Sequence, residues 1–278
     1  MDLIFFDLDG TLLNSQSQIS TFTKETLLLL GQKEIAFTVA TGRTMLSAKS
    51  ILEGHKFVLP HIYNNGVTVW DPKNLELTLD NVLSDDETHH IIEVALAHGI
   101  APFVNVISEE LDQKQHQHMV FYPEPQHEVE KELVNKYFKR TDATLLPLSS
   151  LPQNSQVTNI SMIADAAIID MMWLKIKGHD NLVAYSGPAL EGKQYKWMDV
   201  HHCLANKGTA VHNLKTKLGA QNVICFGDSD NDKSMFALAD ESYAPANAQS
   251  DIKQSATAVI GHNHEDGIAH FLRERFSL

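Results

Sequence analysis

Three short apolar runs, each followed at once by polar and glycine residues, constrain the fold of this chain most strongly. The runs occupy residues 3–6, 35–40 and 223–226. A short apolar run bounded by turn residues is typical of a buried parallel strand, and a helical pattern follows each run. Alternation of this kind predicts an α/β fold, with a Rossmann-like parallel-sheet core. Ligands bind beyond the carboxyl ends of such strands, so the three polar clusters are expected to meet at one site.

The middle of the chain follows a different pattern. Ser84 and Glu87 predict a capping box that opens a helix ending near Gly99. Further strands are predicted at 102–107, 118–122, 158–163 and 181–186, helices at 129–138 and 166–177, and a polar loop at 108–118. No acid-rich turn of the earlier kind occurs here. We therefore predict an inserted α/β domain at 82–186 and a main domain split into 1–81 and 187–278.

Composition narrows the range of partners. Among 278 residues, 35 are acidic and 22 are basic, giving a formal charge of −13. Such a balance disfavours nucleic acid and anionic membranes as partners, because both require a positive surface. The first residues carry no basic start and no long apolar run, so neither a signal peptide nor a membrane span is expected. Two cysteines, Cys203 and Cys225, suggest free thiols in a reducing cytoplasm rather than a disulfide framework.

Carboxylates dominate two of the three polar clusters. The run D-L-D-G-T at 7–11 follows the first strand, and D-S-D-N-D at 228–232 follows the last. Either run is also compatible with an ordinary turn or a helix cap. Carboxylates crowded beyond a buried strand repel one another unless a cation is present, and Mg²⁺ prefers carboxylate and carbonyl oxygens. The two runs therefore suggest a divalent-metal site.

Two further segments suggest phosphate binding. Thr41-Gly42-Arg43 lies at a strand end before a helix, where a hydroxyl and exposed backbone N–H groups can hold a phosphate. The alternative is a simple helix cap. Lys207 opens a helical stretch and is either a surface charge or the cation that an acidic pocket needs to hold an anion.

Together these four segments resemble the motifs of the haloacid dehalogenase-like hydrolases. D-L-D-G-T at 7–11 is similar to the first motif, Thr41 to the second, Lys207 to the third and G-D-S-D-N-D at 227–232 to the fourth. The large insert between the second and third motifs, and Asn65-Gly66, resemble the Cof-type subfamily. The stretch Ala244-Pro245-Ala246 departs from that subfamily, which usually carries Met-Gly before the following asparagine.

The resemblance implies a mechanism and a set of roles. It implies a Mg²⁺-dependent phosphatase acting on a small phosphorylated metabolite, such as a sugar phosphate, pyridoxal phosphate or flavin mononucleotide. Asp7 is then the nucleophile that becomes an aspartyl-phosphate, and Asp9 the acid–base. The implied metal ligands are Asp7, the Asp9 carbonyl and Asp228. The implied phosphate ligands are Thr41, the Gly42 N–H, Lys207 and Asn231, and Asp232 is expected to orient Lys207 or a metal-bound water. The insert is expected to read the leaving group.

Two rival functions share these motifs. A phosphotransferase or phosphosugar mutase would pass the phosphoryl group to a second sugar instead of water. A non-catalytic module that binds a phosphorylated ligand is disfavoured because both Asp7 and Asp9 are present. The histidine pairs at 116/118, 201/202 and 262/264 are interpreted as surface residues, because no further ligands stand at metal-binding spacing.

Overall fold

The structure is a computed structural model that describes residues 1–109, 116–136, 142–189 and 191–278. Its contacts divide the chain into two compact units. Unit 1 combines Met1–Asp80 with Asn206–Leu278, and unit 2 is Asn81–Ala205. The boundary between residues 80 and 81 lies one residue from the predicted boundary between residues 81 and 82.

Unit 1 contains two sheets. Its strands are β1 (Asp2–Phe6), β2 (Ala36–Val39), β3 (His61–Tyr63), β4 (Thr68–Asp71), β5 (Glu76–Leu79), β12 (Asn222–Phe226), β13 (Glu241–Pro245) and β14 (Ala258–Ile260). Its helices are α1 (Thr21–Gln32), α2 (Met45–Leu52), α6 (Lys207–Leu218), α7 (Lys233–Phe236), α8 (Ser250–Ser255) and α9 (Gly267–Phe276). Strands β3, β4 and β5 form a small antiparallel sheet that the sequence analysis did not predict.

The larger sheet of unit 1 is parallel, in the order β14-β13-β12-β1-β2. The three apolar runs thus become β1, β2 and β12, and the predicted α/β fold with a parallel core is confirmed. Central strand β1 is buried on both sides. Ile4 and Phe6 pack with residues of α1, α2 and α9, whereas Leu3 and Phe5 pack with residues of α6, α7 and α8. Helices on both faces explain why the strand is a continuous apolar run.

The described residues of unit 2 form a six-stranded sheet. Its strands are β6 (Phe103–Glu109), β7 (His116–Tyr122), β8 (Thr144–Pro147), β9 (Val157–Asp165), β10 (Leu182–Pro188) and β11 (Tyr195–His202), in the order β10-β11-β9-β6-β7-β8. Its helices are α3 (Asp85–Ala97), α4 (Glu128–Lys136) and α5 (Ala166–Lys177). Helices α3 and α5 cover one face of this sheet. The predicted capping box of Ser84 and Glu87 is present at the start of α3.

The predicted end of the insert at residue 186 is too early. Strand β11 pairs with β9 and β10, so it belongs to the sheet of unit 2 and moves the division to residues 205 and 206. The predicted loop at 108–118 is also wrong at both ends, because β6 extends to Glu109 and β7 begins at His116. Residues 110–115 of that loop, and the last two residues of the helix predicted at 129–138, lie outside the described residues.

The face of the unit 2 sheet away from α3 and α5 carries a polar cluster. Asn159 donates to the Ser161 hydroxyl at 2.9 Å and to the Asp199 carboxylate at 3.3 Å. His201 lies two residues after Asp199 on β11, and so on the same face of the sheet, and it is fully buried. The interpretation of this histidine as a surface residue was therefore wrong, because strand pairing turns it inward. Burial lowers the pKa of His201 to about 4.

No helix in the described part of the chain combines the length and apolar character required to cross a membrane. Both cysteines are free, with Cys225 buried on β12.

Candidate active site

All eight predicted site residues belong to unit 1. They follow the carboxyl ends of the parallel strands β1, β2 and β12 or stand at the start of α6; the set is Asp7, Asp9, Thr41, Gly42, Lys207, Asp228, Asn231 and Asp232. Side-chain contacts join most of them into two groups, one around Lys207 and one around Asn231, and Asp9 pairs separately with an arginine.

Lys207 is the centre of the first group. Its ammonium Nζ lies 2.6 Å from Asp7 Oδ1 and 2.6 Å from Asp232 Oδ1. The lysine and Asp232 are completely buried, and Asp7 is 5% exposed. Lys207 is the first residue of α6, and the Asn206 side chain caps that helix by accepting from the Thr209 N–H. The helix start therefore fixes where the lysine enters the carboxylate cluster, so the reading of Lys207 as a surface charge is excluded.

Asp232 organises the acidic loop after β12. Its Oδ1 accepts from Lys207, and its Oδ2 accepts the backbone N–H groups of Asp228 and Ser229 at 2.9 and 3.0 Å. Both oxygens are therefore already engaged. Asp228, in contrast, accepts one bond from the Thr11 hydroxyl at 3.1 Å.

The electrostatics of this cluster suit a divalent cation. Oxygens of Asp7, Asp228 and Asp232 lie within 4.8 Å of one another. When all three carboxylates are ionised, the single ammonium of Lys207 compensates one of their three negative charges. Burial raises the pKa of Asp7, against the opposing effect of Lys207, and burial together with Asp232 raises the pKa of Asp228 to about 7. Hard oxygen ligands and this excess negative charge fit Mg²⁺.

The charge of Lys207 itself is stabilised by its neighbours. Burial disfavours the ammonium form, but Asp232 and Asp7 outweigh burial and raise the pKa of Lys207 above its ordinary value. The lysine therefore keeps its positive charge at neutral pH.

Asp9 points away from this cluster. Its carboxylate accepts two hydrogen bonds from Arg43, from Nε to Oδ2 and from Nη2 to Oδ1, each 2.6 Å long. The Asp9 side chain is 54% exposed. Its carboxylate is thus not one of the three clustered acids, which is compatible with a metal contact through its backbone carbonyl.

Thr41 and Gly42 border the second group. The Thr41 hydroxyl accepts the Arg43 N–H at 3.1 Å, and the Thr41 carbonyl accepts the Asn65 N–H at 3.0 Å. The Asn65 side chain in turn accepts from Asn231 Nδ2 at 2.8 Å. A Cβ on Gly42 would lie 3.2 Å from Asn65 and 3.3 Å from Asn231, so glycine keeps both amides close to this turn.

The turn after β1 is closed by two further contacts. Gly10 has φ of +70°, and a Cβ there would lie 2.3 Å from the Asp228 carboxylate, so this position requires glycine. Asn247 donates to the Gly10 carbonyl at 2.7 Å and accepts from the Asn263 N–H at 3.1 Å. Asn247 follows the Ala244-Pro245-Ala246 stretch, so the asparagine after that unusual segment braces the turn that carries Asp7 and Asp9.

Sequence reasoning gave no role to four residues that the structure places here: Thr11, Arg43, Asn65 and Asn247. All four lie in segments that the sequence analysis singled out: Thr11 and Arg43 in the first two motifs, Asn65 before a glycine, and Asn247 after Ala244-Pro245-Ala246. The left-handed φ of +53° at Asn65 explains an asparagine there. Their contacts join residues distant in sequence, and no local pattern encodes them.

Comparisons with known proteins find similar sequences and similar folds. The profile of the haloacid dehalogenase-like hydrolases matches residues 4–272. The chain is 24% identical to the 5-amino-6-(5-phospho-D-ribitylamino)uracil phosphatase YitU of Bacillus subtilis (strain 168), over 99% of this chain and 98% of that protein. It is 26% identical to the HMP-PP phosphatase of Enterobacter sp. (strain 638), over 97% of this chain and 94% of that protein. The solved structure of a sugar phosphatase of HAD subclass IIB superposes with a TM-score of 0.76 at 20% identity, covering 100% of this chain and 99% of that one.

Proposed function

Since the chain belongs to the haloacid dehalogenase-like hydrolases, as its motifs predicted, and is a phosphatase, we propose that it hydrolyses a phosphate monoester of a small metabolite through an aspartyl-phosphate on Asp7. One observation carries this proposal. Asp7 stands at the end of central strand β1, buried and held by Lys207 at 2.6 Å, next to the Asp228 carboxylate. This is the environment of a fixed nucleophile beside a cation site.

In the first step an oxygen of the Asp7 carboxylate attacks phosphorus. A bond forms between that oxygen and phosphorus, and the bond between phosphorus and the ester oxygen breaks. Asp9 enters this step in its protonated form and donates that proton to the departing oxygen, which leaves as an alcohol. The products of this step are the aspartyl-phosphate on Asp7 and an ionised Asp9.

In the second step a water oxygen attacks the phosphorus of the aspartyl-phosphate. Asp9 takes the proton of this water, and the bond between phosphorus and the Asp7 oxygen breaks. Inorganic phosphate leaves, and both carboxyl groups return to their starting state. The reversal of the Asp9 role between the two steps is ordinary acid–base catalysis.

The phosphoryl oxygens need donors around them. Thr41 and Gly42 lie on the turn after β2, and Asn65 joins this turn to Asn231 on the acidic loop. We assign the Thr41 side chain, the Gly42 N–H and Asn231 to the phosphoryl group. Lys207 supplies a fixed positive charge at the nucleophile. Donors that are already oriented stabilise the charge that develops in the transition state without further rearrangement.

Asp7, Asp228 and the carbonyl of Asp9 are the proposed Mg²⁺ ligands. When bound, the ion offsets the repulsion between the carboxylates and the anionic phosphate. Asp232 we assign to positioning rather than to the metal, because Lys207 and two backbone N–H groups occupy its oxygens.

Unit 2 is the proposed specificity element. The relatives named above are phosphatases for a phosphorylated ribitylamino-uracil and for HMP-PP, and we propose a small phosphorylated metabolite for this chain as well. Contacts to the non-reacting part of a substrate raise turnover when they position the phosphate, and an inserted domain can supply them. A cytoplasmic location, with no nucleic acid or membrane as partner, remains part of the proposal, from the acidic charge and the free cysteines.

The test is phosphate release from a panel of phosphorylated metabolites with Mg²⁺ present. Asp7→Asn should abolish release with no change in circular dichroism, whereas Asp180→Asn, the same change at an exposed carboxylate, should leave it intact. Acid-quenched wild-type enzyme should retain ³²P from a labelled substrate, and Asp7→Asn should not. Substantial turnover by Asp7→Asn would refute the nucleophile. An isomeric phosphosugar as product, in place of free phosphate, would favour the mutase.

A further inference from the structure

Arg43 forms a bidentate ion pair with Asp9 at the candidate site. Its guanidinium approaches the Asp9 carboxylate side on, with two hydrogen bonds of 2.6 Å. The two residues are 34 positions apart and belong to the turns after β2 and β1. A guanidinium matched to both oxygens of a carboxylate fixes the plane of that carboxylate as well as its position.

Asp9 lacks other side-chain support. Its side chain is 54% exposed, and within the described part of the chain no other residue donates a hydrogen bond to its carboxylate. Its backbone lies at φ −72° and ψ 131°, just before the left-handed Gly10. An exposed aspartate on such a bend has several open rotamers. Arg43 therefore selects one orientation of the Asp9 carboxylate.

Arg43 is itself anchored to the turn that holds Thr41 and Gly42. Its N–H donates to the Thr41 hydroxyl oxygen at 3.1 Å, and its carbonyl accepts the Asn64 N–H at 2.9 Å. Its side chain is 21% exposed, less than half the exposure of Asp9. The arginine is thus the better-held member of the pair, and it links the Thr41 turn directly to Asp9.

We propose that Arg43 is a positioning residue that aims the Asp9 carboxylate and so couples the phosphate-binding turn to acid–base catalysis. This inference rests on the proposed function, in which Asp9 protonates the departing oxygen. Because Arg43 acts through Asp9, its loss should slow cleavage of the phosphate ester most when the leaving group is poor and needs a proton. An aryl oxygen leaves without a proton, whereas an alkyl oxygen requires one.

The test compares an alkyl phosphate with an activated aryl phosphate in wild type and Arg43→Lys. The value of kcat/KM reports the steps through cleavage of the ester bond, before water attacks. General acid catalysis contributes about 10²–10⁴-fold, so kcat/KM for the alkyl ester should fall at least about 10-fold, and that for the aryl ester less than about 3-fold. Arg275→Lys is the matched control, since the exposed Arg275 pairs with the half-buried Glu241 at 2.8 Å. Both of its kcat/KM values should stay unchanged.

A double-mutant cycle tests whether Arg43 acts through Asp9. In an Asp9→Asn background, Arg43→Lys should cause no further loss of alkyl-ester hydrolysis, because the group it positions is already removed. Arg43→Ala should regain alkyl-ester activity when guanidinium ion is added, while Asp9→Asn should not. Melting temperatures of the variants separate these effects from a loss of folded protein.

The outcomes are distinct. Equal losses on both esters, or additive losses in the cycle, would overturn the inference. A weaker competitive inhibition by inorganic phosphate in Arg43→Lys, with the ester ratio unchanged, would make Arg43 a phosphate ligand instead. A wild-type enzyme that releases no phosphate from any ester would instead refute the proposed function, and this inference with it.

Discussion

Replacing Lys207 with methionine should destabilise the protein strongly, because the lysine is the buried counter-ion of two carboxylates. Its ammonium lies 2.6 Å from Asp7 and 2.6 Å from Asp232, and neither the lysine nor Asp232 has any exposed side-chain surface. Methionine fills a similar volume without the charge, so the variant isolates the loss of the ion pairs from the loss of packing.

The size of the effect follows from these contacts. Removing one partner of a buried ion pair costs about 3–5 kcal/mol, because the other charge is left without compensation. Two charged hydrogen bonds at about 1.5–3 kcal/mol each give a similar range. Domains are stable by about 5–15 kcal/mol in total, so a large part of the stability of unit 1 depends on this lysine.

The assay is urea denaturation of the full chain in chelator, followed by intrinsic fluorescence. Lys215→Met provides the matched control on the same helix, α6, where the lysine pairs with the half-exposed Asp240 at 3.2 Å. An exposed pair contributes about 0–1 kcal/mol, so the control should unfold close to wild type. The double variant Asp7→Asn/Lys207→Met should be more stable than Lys207→Met alone, because it removes one of the uncompensated carboxylates.

Two results would refute this reasoning. A Lys207→Met protein within about 1 kcal/mol of Lys215→Met would show that the buried pairs contribute no more than surface pairs. Lower stability of the double variant than of Lys207→Met would show that repulsion among the carboxylates is not the cause.

Three further outcomes are expected. Asp228→Ala removes one of the proposed Mg²⁺ ligands, so metal titration should show a rise of at least about 10-fold in the Mg²⁺ concentration for half-maximal activity. Full activity of the wild-type enzyme in excess chelator would contradict the metal site. Burial raises the pKa of Asp199 to about 6, so the folded protein binds this proton more tightly than the unfolded chain. The stabilisation that this proton gives is present below about pH 4 and is lost as the pH rises through about 6. Asp199→Asn should therefore be more stable than wild type at pH 8, by about 1–3 kcal/mol. Paired melting curves should show that this difference vanishes at low pH. Deleting residues 81–205, with a short linker between the flanks, should leave a folded unit 1 that hydrolyses an activated aryl phosphate slowly; an unchanged ratio of activities on two unlike metabolites would remove unit 2 from substrate selection.

Much of the core could be predicted from the sequence because its signals are local. A parallel strand buried on both faces must be apolar throughout, and the chain must turn at its end, so β1, β2 and β12 and the polar residues beyond them are visible as short patterns. The start of α3 was visible for the same reason, since a capping box joins residues only three positions apart.

Other parts of the fold could not be predicted because they depend on distant pairing. The sheet of unit 2 includes β11 through its register with β9 and β10, and no residue near position 186 indicates that the insert continues to 205. Burial of His201 has the same origin, since its inward direction is decided by the partner strands.

At the candidate site, local sequence patterns are enough to show which side chains stand beyond the parallel strands, and so which kinds of group are available for chemistry. Tertiary structure decided which charges meet. Lys207 lies between Asp7 and Asp232, which are 200 and 25 positions away along the chain. Asp9 forms an ion pair with Arg43 and does not join the carboxylate cluster. The physical reason is that a strand and its turn form from neighbouring residues, whereas an ion pair forms between whatever charges the packed sheet brings within a few ångströms.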